Sequence, residues 1–166
     1  MRILFLSDTW TILLCFLVWL CLQTGFAFFC LFLPNRYFAP DGLIFRSHCW
    51  EKEGQIYEKL FNVKRWKHLL PDGGMVWKKR GFRKKKLENF SKDNLNRFLI
   101  ESSRGEMIHW LPIFFFWIFW LFTPPMVPWI MLIYALLANM PCIIVQRYNR
   151  PRVQRLLNNL KGREKL

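Results

Sequence analysis

Acidic side chains are scarce in this chain of 166 residues, which sets 11 Asp and Glu against 25 Lys and Arg. Between Met107 and Val145 charge of either sign nearly vanishes: these 39 residues hold no Asp, Glu, Lys or Arg and one histidine, His109. The first 33 residues carry only Arg2 and Asp8. Such gaps exclude the even mixing of polar and apolar positions found in soluble amphipathic elements, and they mark segments that face hydrocarbon. Metal and nucleotide signatures are missing as well. The five cysteines make no C-x-x-C or Cys/His ligand spacing; Cys15, Cys21, Cys30 and Cys142 lie in apolar runs and Cys49 stands alone. Neither zinc nor a disulfide framework is expected from them, and no metal site or cofactor is assigned. No Gly-rich nucleotide loop, G-x-S-x-G elbow, H-E-x-x-H string or internal repeat occurs.

What is present is basic charge, a formal +14, and it is unevenly placed. Residues 34–106 hold 17 Lys and Arg against 9 Asp and Glu, and residues 146–166 hold 7 against 1. Basic segments flanking apolar runs are the positive-inside signature and suit an anionic cytoplasmic leaflet. Uninterrupted apolar runs have no role in a soluble nucleic-acid binder, so no nucleic-acid partner is expected.

These patterns predict an all-α integral membrane protein, a single membrane domain over 1–166. About three membrane segments are expected: an N-terminal span near 10–33 and a C-terminal hairpin of segments near 107–122 and 127–145, broken at Thr123-Pro124-Pro125. The basic loop 34–106 and an amphipathic tail 146–166 then lie in the cytoplasm, with the N-terminus outside. Two points stay open: whether the first run is a retained span or a cleaved signal, and whether the short hairpin crosses or re-enters. Within the loop, Glu51 to Lys67 is expected to form a short helix, Pro71-Asp72-Gly73-Gly74 a turn, and Lys78 to Lys86 a basic run facing lipid phosphates. Ser91 is the expected N-cap of an amphipathic helix that runs through Glu101, Arg104 and His109 into the membrane.

Two clusters of polar residues sit where hydrocarbon ends. In the first, Glu106 and His109 are three apart and share a helix face, so the carboxylate is expected to orient an imidazole acting as general base. Glu101 and Arg104, at the same spacing, are expected to pair. In the second, Gln146, Arg147, Tyr148, Asn149, Arg150 and Arg152 follow Asn139, an amide inside an apolar run. Planar guanidinium forks suit phosphate or diphosphate, and an Asn at membrane depth is costly unless used. His68 and Asp72 form an H-x-x-x-D string that supplies an alternative base.

Several of these strings together resemble a known family. Phe61 to Lys67, Leu70 to Gly74, Glu101-x-x-Arg104-x-Glu106-x-x-His109-Trp110, and Asn139-x-Pro141 through Gln146 to Arg152 are similar to the glycosyl-4,4'-diaponeurosporenoate acyltransferases of staphyloxanthin-type carotenoid synthesis. The likeness covers most of the chain. It implies transfer of a fatty acyl group from an acyl-CoA-type donor to a glucose hydroxyl, at C6, of a glycosylated C30 carotenoid acid. Both substrates are amphiphiles, so the expected partners are the bilayer, a glycolipid or carotenoid glycoside and the acyl donor. The motif residues Trp66 and Lys67 join the expected substrate contacts, and Asn139 or Gln146 the donors to an oxyanion. The competing expectation is a non-catalytic membrane protein that binds anionic lipid or scaffolds a synthase complex.

Overall fold

The computed structural model describes residues 3–70 and 91–163. Among them the regular structure is helical: α1 (Asp8–Phe32), α2 (Gln55–Phe61), α3 (Val63–Trp66), α4 (Lys92–Phe114) and α5 (Val127–Arg163), with 3-10 turns between. Contacts divide the chain into two compact units, one of Met1–Leu33 with Met107–Pro141, the other of Pro34–Glu106 with Cys142–Leu166. The expected turn at Pro71 and the basic run from Lys78 lie outside the described residues.

In the first unit α1 is apolar along its whole length, and Trp10, Phe16 and Leu20 stand 64%, 73% and 60% exposed. Side chains of that size left in water on most faces of a 25-residue helix are the mark of a helix solvated by lipid. Helices α1 and α5 are the two among the described residues that are long and apolar enough to cross a membrane. The core of this unit is aromatic: Phe119 and Phe122 are buried with Cys15, and Trp19 packs on Phe119 at 5.9 Å and edge-on against Tyr134 at 5.2 Å.

The expected segment 107–122 is not one α-helix. α4 ends at Phe114 and a 3-10 stretch, Phe115–Leu121, completes it. Seven successive bulky side chains, five of them aromatic, occupy that stretch. α5 runs 37 residues without interruption past Pro141 and Pro151, taking in both the expected segment 127–145 and the tail that follows it. A helix of that length is roughly 55 Å long, nearly twice the hydrocarbon thickness.

Part of the tail's apolar face packs on the protein. In the second unit Val153 and Leu157 are buried against Leu95, Phe98 and Leu99 of α4, whose own apolar stripe is complementary. Ser91 caps α4 as expected, its hydroxyl accepting from the Asn94 N–H at 3.3 Å. The single helix expected over Glu51 to Lys67 is broken instead. Lys52, Glu53, Gly54 and Asn62 all have positive φ. At Gly54 the backbone passes so close to α5 that a Cβ would meet the Tyr148 carbonyl at 2.9 Å. Asn62 is a residue type that tolerates the left-handed region.

Candidate functional site

The second unit is organised around a set of four charges, three of them buried and Arg147 partly so. Glu106 on α4 is fully buried; its Oε1 accepts from Arg147 Nε at 2.7 Å and its Oε2 from Arg150 Nη2 at 2.6 Å. Arg147 also donates through Nη1 to Glu51 Oε1 at 3.0 Å and through Nη2 to the Ile44 carbonyl at 3.0 Å. Arg150 donates to the Phe45 carbonyl at 2.7 Å. Two carboxylates thus balance two guanidiniums, which is what makes the burial of Glu51, Glu106 and Arg150 tolerable. α4 and α5 can meet here because Glu106 and the arginines at 147 and 150, one helical turn apart, face each other across them.

Tyr57 completes the set, its hydroxyl donating to Glu51 Oε1 at 2.5 Å. Burial works against the Glu51 carboxylate, but the bonds from Tyr57, the His48 N–H and Arg147 outweigh it and hold the carboxyl below its usual range. Burial, reinforced by the neighbouring Glu51 charge, pushes the Tyr57 phenol well above its usual value.

Around this set lie the other residues of the two sequence clusters. Arg104 pairs with Glu101, as expected, and also donates to Asn35 Oδ1 at 2.6 Å while its guanidinium stacks on Phe38. Gln146 Oε1 accepts from the buried Ser102 hydroxyl at 2.9 Å. Tyr148 is buried, with Arg152 over its ring at 3.6 Å and the Lys67 ammonium 5.1 Å from its centroid. Arg152 also donates to the Tyr148 carbonyl, and Trp66 Nε1 to the Phe61 carbonyl at 2.7 Å. Asn149 is partly buried on α5, and His68 is exposed on a 3-10 turn. Asp72 lies outside the described residues, so the H-x-x-x-D string has no geometry here.

The first unit contains the other notable pair. His109 Nδ1 and Asn139 Oδ1 are 2.9 Å apart, and Asn139 Nδ2 donates to the Ala135 carbonyl at 2.9 Å. Asn139 is buried inside the apolar half of α5. That second bond decides the chemistry of the first. Turning the amide over would set its oxygen against the Ala135 carbonyl oxygen, two acceptors face to face. The oxygen therefore faces the ring, Nδ1 carries the proton that it donates, and the basic lone pair of the neutral imidazole resides on Nε2.

Spacing alone paired Glu106 with His109; the described contacts add Arg147 and Arg150 to the Glu106 oxygens and Asn139 to Nδ1 of His109. Glu51, Tyr57, Asn35 and Ser102 were not singled out at all. No local signal identifies them, since their partners stand up to 96 residues away.

Comparison with known proteins agrees with these motifs. Residues 40–159 match the family model described as glycosyl-4,4'-diaponeurosporenoate acyltransferase. Proteins of that name from Staphylococcus aureus strains bovine RF122 / ET3-1 and USA300 are each 38% identical over 153 residues, covering 92% of this chain and 92% of theirs. That of strain Newman is 38% identical over 151 residues, 91% of this chain and 90% of its own. No solved structure matches the chain. By the extent of both matches the chain belongs to the glycosyl-4,4'-diaponeurosporenoate acyltransferase family, and it is an acyltransferase.

Proposed function

We propose that the chain esterifies a sugar hydroxyl, the C6 hydroxyl of glucose, on a glycosylated C30 carotenoid acid, using a fatty acyl group from an acyl-CoA-type donor, with His109 as general base. The observation that carries the base assignment is the His109–Asn139 pair. Asn139, buried in the apolar half of α5, and the half-buried His109 are costly at membrane depth unless paired, and the pairing found leaves Nε2 as the basic nitrogen.

In the reaction, Nε2 takes the proton of the sugar hydroxyl as its oxygen attacks the thioester carbonyl. The tetrahedral intermediate collapses with cleavage of the carbon–sulfur bond, and the departing thiolate takes the proton back from the imidazolium. Asn139 then acts as the positioning residue for His109, through its oxygen, and its amide retains a second N–H. Arg147 and Arg150 serve as the counter-charges of Glu106 and Glu51, which leaves exposed cations such as Lys64 and Arg65 to meet donor phosphates.

The orientation that suits this chemistry has the N-terminus outside and the basic segments in the cytoplasm, where an acyl-CoA resides. The charge counts support it through the positive-inside rule. The segment 107–122 is then the third membrane element. The test is direct: purified protein in lipid nanodiscs receives an acyl-CoA and the glycosylated carotenoid acid, and products are weighed by mass spectrometry. Ester formed by the wild type and lost in His109→Ala supports the reading. No ester with any acyl-CoA or acyl-carrier-protein donor would return the chain to the lipid-binding alternative.

A further inference from the structure

We infer that the loop from Tyr37 to Trp50 inserts its apolar tip, Leu43 and Ile44, into the headgroup–acyl boundary of the bilayer, a membrane contact separate from the spanning helices. The inference rests on α1 lying in a membrane and is independent of the acyl-transfer mechanism.

The loop has two unlike faces. Inward, Phe38 and Phe45 are buried with ring centroids 6.3 Å apart, the Arg104 guanidinium over the first and that of Arg150 over the second. The carbonyls of Ile44 and Phe45 accept from Arg147 and Arg150 at 3.0 and 2.7 Å. The turn itself is closed by N–H groups of Phe45 and Arg46 on the Gly42 carbonyl, at 3.0 and 2.9 Å. Three guanidiniums therefore grip this short segment from one side. Outward, Leu43 is 79% and Ile44 60% exposed, flanked by Tyr37 at 55% and Trp50 at 58%.

A backbone held this firmly cannot fold its apolar tip back into the protein. Surface side chains of this kind on a mobile loop would be unremarkable; on a clamped one, their exposure needs an occupant. Lipid fits on three grounds. The chain leaves the apolar helix α1 only two residues before the first 3-10 turn of the loop, which tethers it at the bilayer edge. Tyr37 and Trp50, the exposed residues at the two ends of the loop, are of the types that sit at headgroup level. The exposed cations Arg36 and Arg46 at the loop's base match lipid phosphates. Asp41, exposed beside Gly42, limits insertion to a shallow one led by Leu43 and Ile44.

The test places the photoreactive residue p-benzoylphenylalanine at position 43 of the full chain in its membrane, with parallel insertions at Phe16 on α1 and at the exposed Lys59. After irradiation, adducts are identified by mass spectrometry. The expected result is a phospholipid adduct at 43 comparable with that at 16 and several-fold above that at 59, reproduced with the probe at Ile44. An adduct to a polypeptide at 43 and 44, a partner protein or a second copy, would overturn the inference. So would lipid labelling at 16 with none above the Lys59 level at 43 and 44. Absence of lipid labelling at 16 as well would contradict the span itself.

Discussion

Glu106 and Arg150 stand 44 residues apart in sequence and meet at 2.6 Å, their side chains 0% and 3% exposed. A carboxylate so placed is held by charge on both oxygens, since Arg147 takes the other at 2.7 Å. Its removal takes the counter-charge from the buried Arg150 guanidinium and one of the two carboxylates from Arg147. Glu106→Gln is expected to destabilise the protein by about 3–5 kcal/mol, as for other broken buried pairs. Thermal unfolding of the detergent-solubilised variant checks this. Wild-type stability with lost activity would instead make Glu106 a partner of the chemistry.

The arginines offer a second test, because geometry and charge make opposite forecasts. Arg150 uses separate nitrogens for Glu106 and the Phe45 carbonyl, and Arg147 spans Glu106, Glu51 and the Ile44 carbonyl. Lysine keeps the charge but cannot reproduce a fork. Arg150→Lys and Arg147→Lys are each expected to lose about 1.5–3 kcal/mol, the usual worth of a charged hydrogen bond. The loss should be larger at Arg150, which is more buried. If both variants unfold with the wild-type midpoint, the arginines serve only as a basic flank that orients the chain.

Stability should also depend on pH through Glu51 and Tyr57. The folded Glu51 pKa is depressed, so its contribution is full above the unfolded value of about 4.3 and is lost as pH falls through the folded value. The Tyr57 pKa is raised, so its contribution is full below about 10 and is lost as pH rises further. Midpoints measured across pH should be flat between these limits, and Glu51→Gln should remove the share of the acid limb that belongs to Glu51. An unchanged acid limb in that variant would assign it to other carboxylates.

These charge pairs also show what a sequence can and cannot disclose. The N-cap at Ser91, the Glu101–Arg104 pair and the apolar run of α1 are local features, fixed within a few residues, and were legible. Glu51 was not, because its partner Arg147 is 96 residues away and nothing near Glu51 announces it. Spacing offered Glu106 the His109 side chain three residues on, but could not disclose Arg147 and Arg150, which stand 41 and 44 residues away. His109 and Asn139 were each conspicuous as polar residues among apolar ones, but only the fold joins them.

Asn139 deserves its own variant. If its oxygen fixes the imidazole tautomer, Asn139→Leu should lower kcat by roughly 10²-fold, the scale of a misplaced catalytic group, with little change in KM. Asn139→Asp keeps an acceptor at the same place and should retain more activity than Asn139→Leu. Equal activity in the two variants would remove Asn139 from the mechanism.

The central claim is that His109 accepts the proton of the sugar hydroxyl. The direct measurement is single-turnover ester formation by His109→Ala in nanodiscs, beside the wild type and with folding verified by its unfolding midpoint. Loss of about 10²–10⁴-fold in the chemical step, with a wild-type midpoint, is the result expected for a general base. Wild-type turnover in the folded variant would contradict the account and send the search for the base elsewhere in the chain.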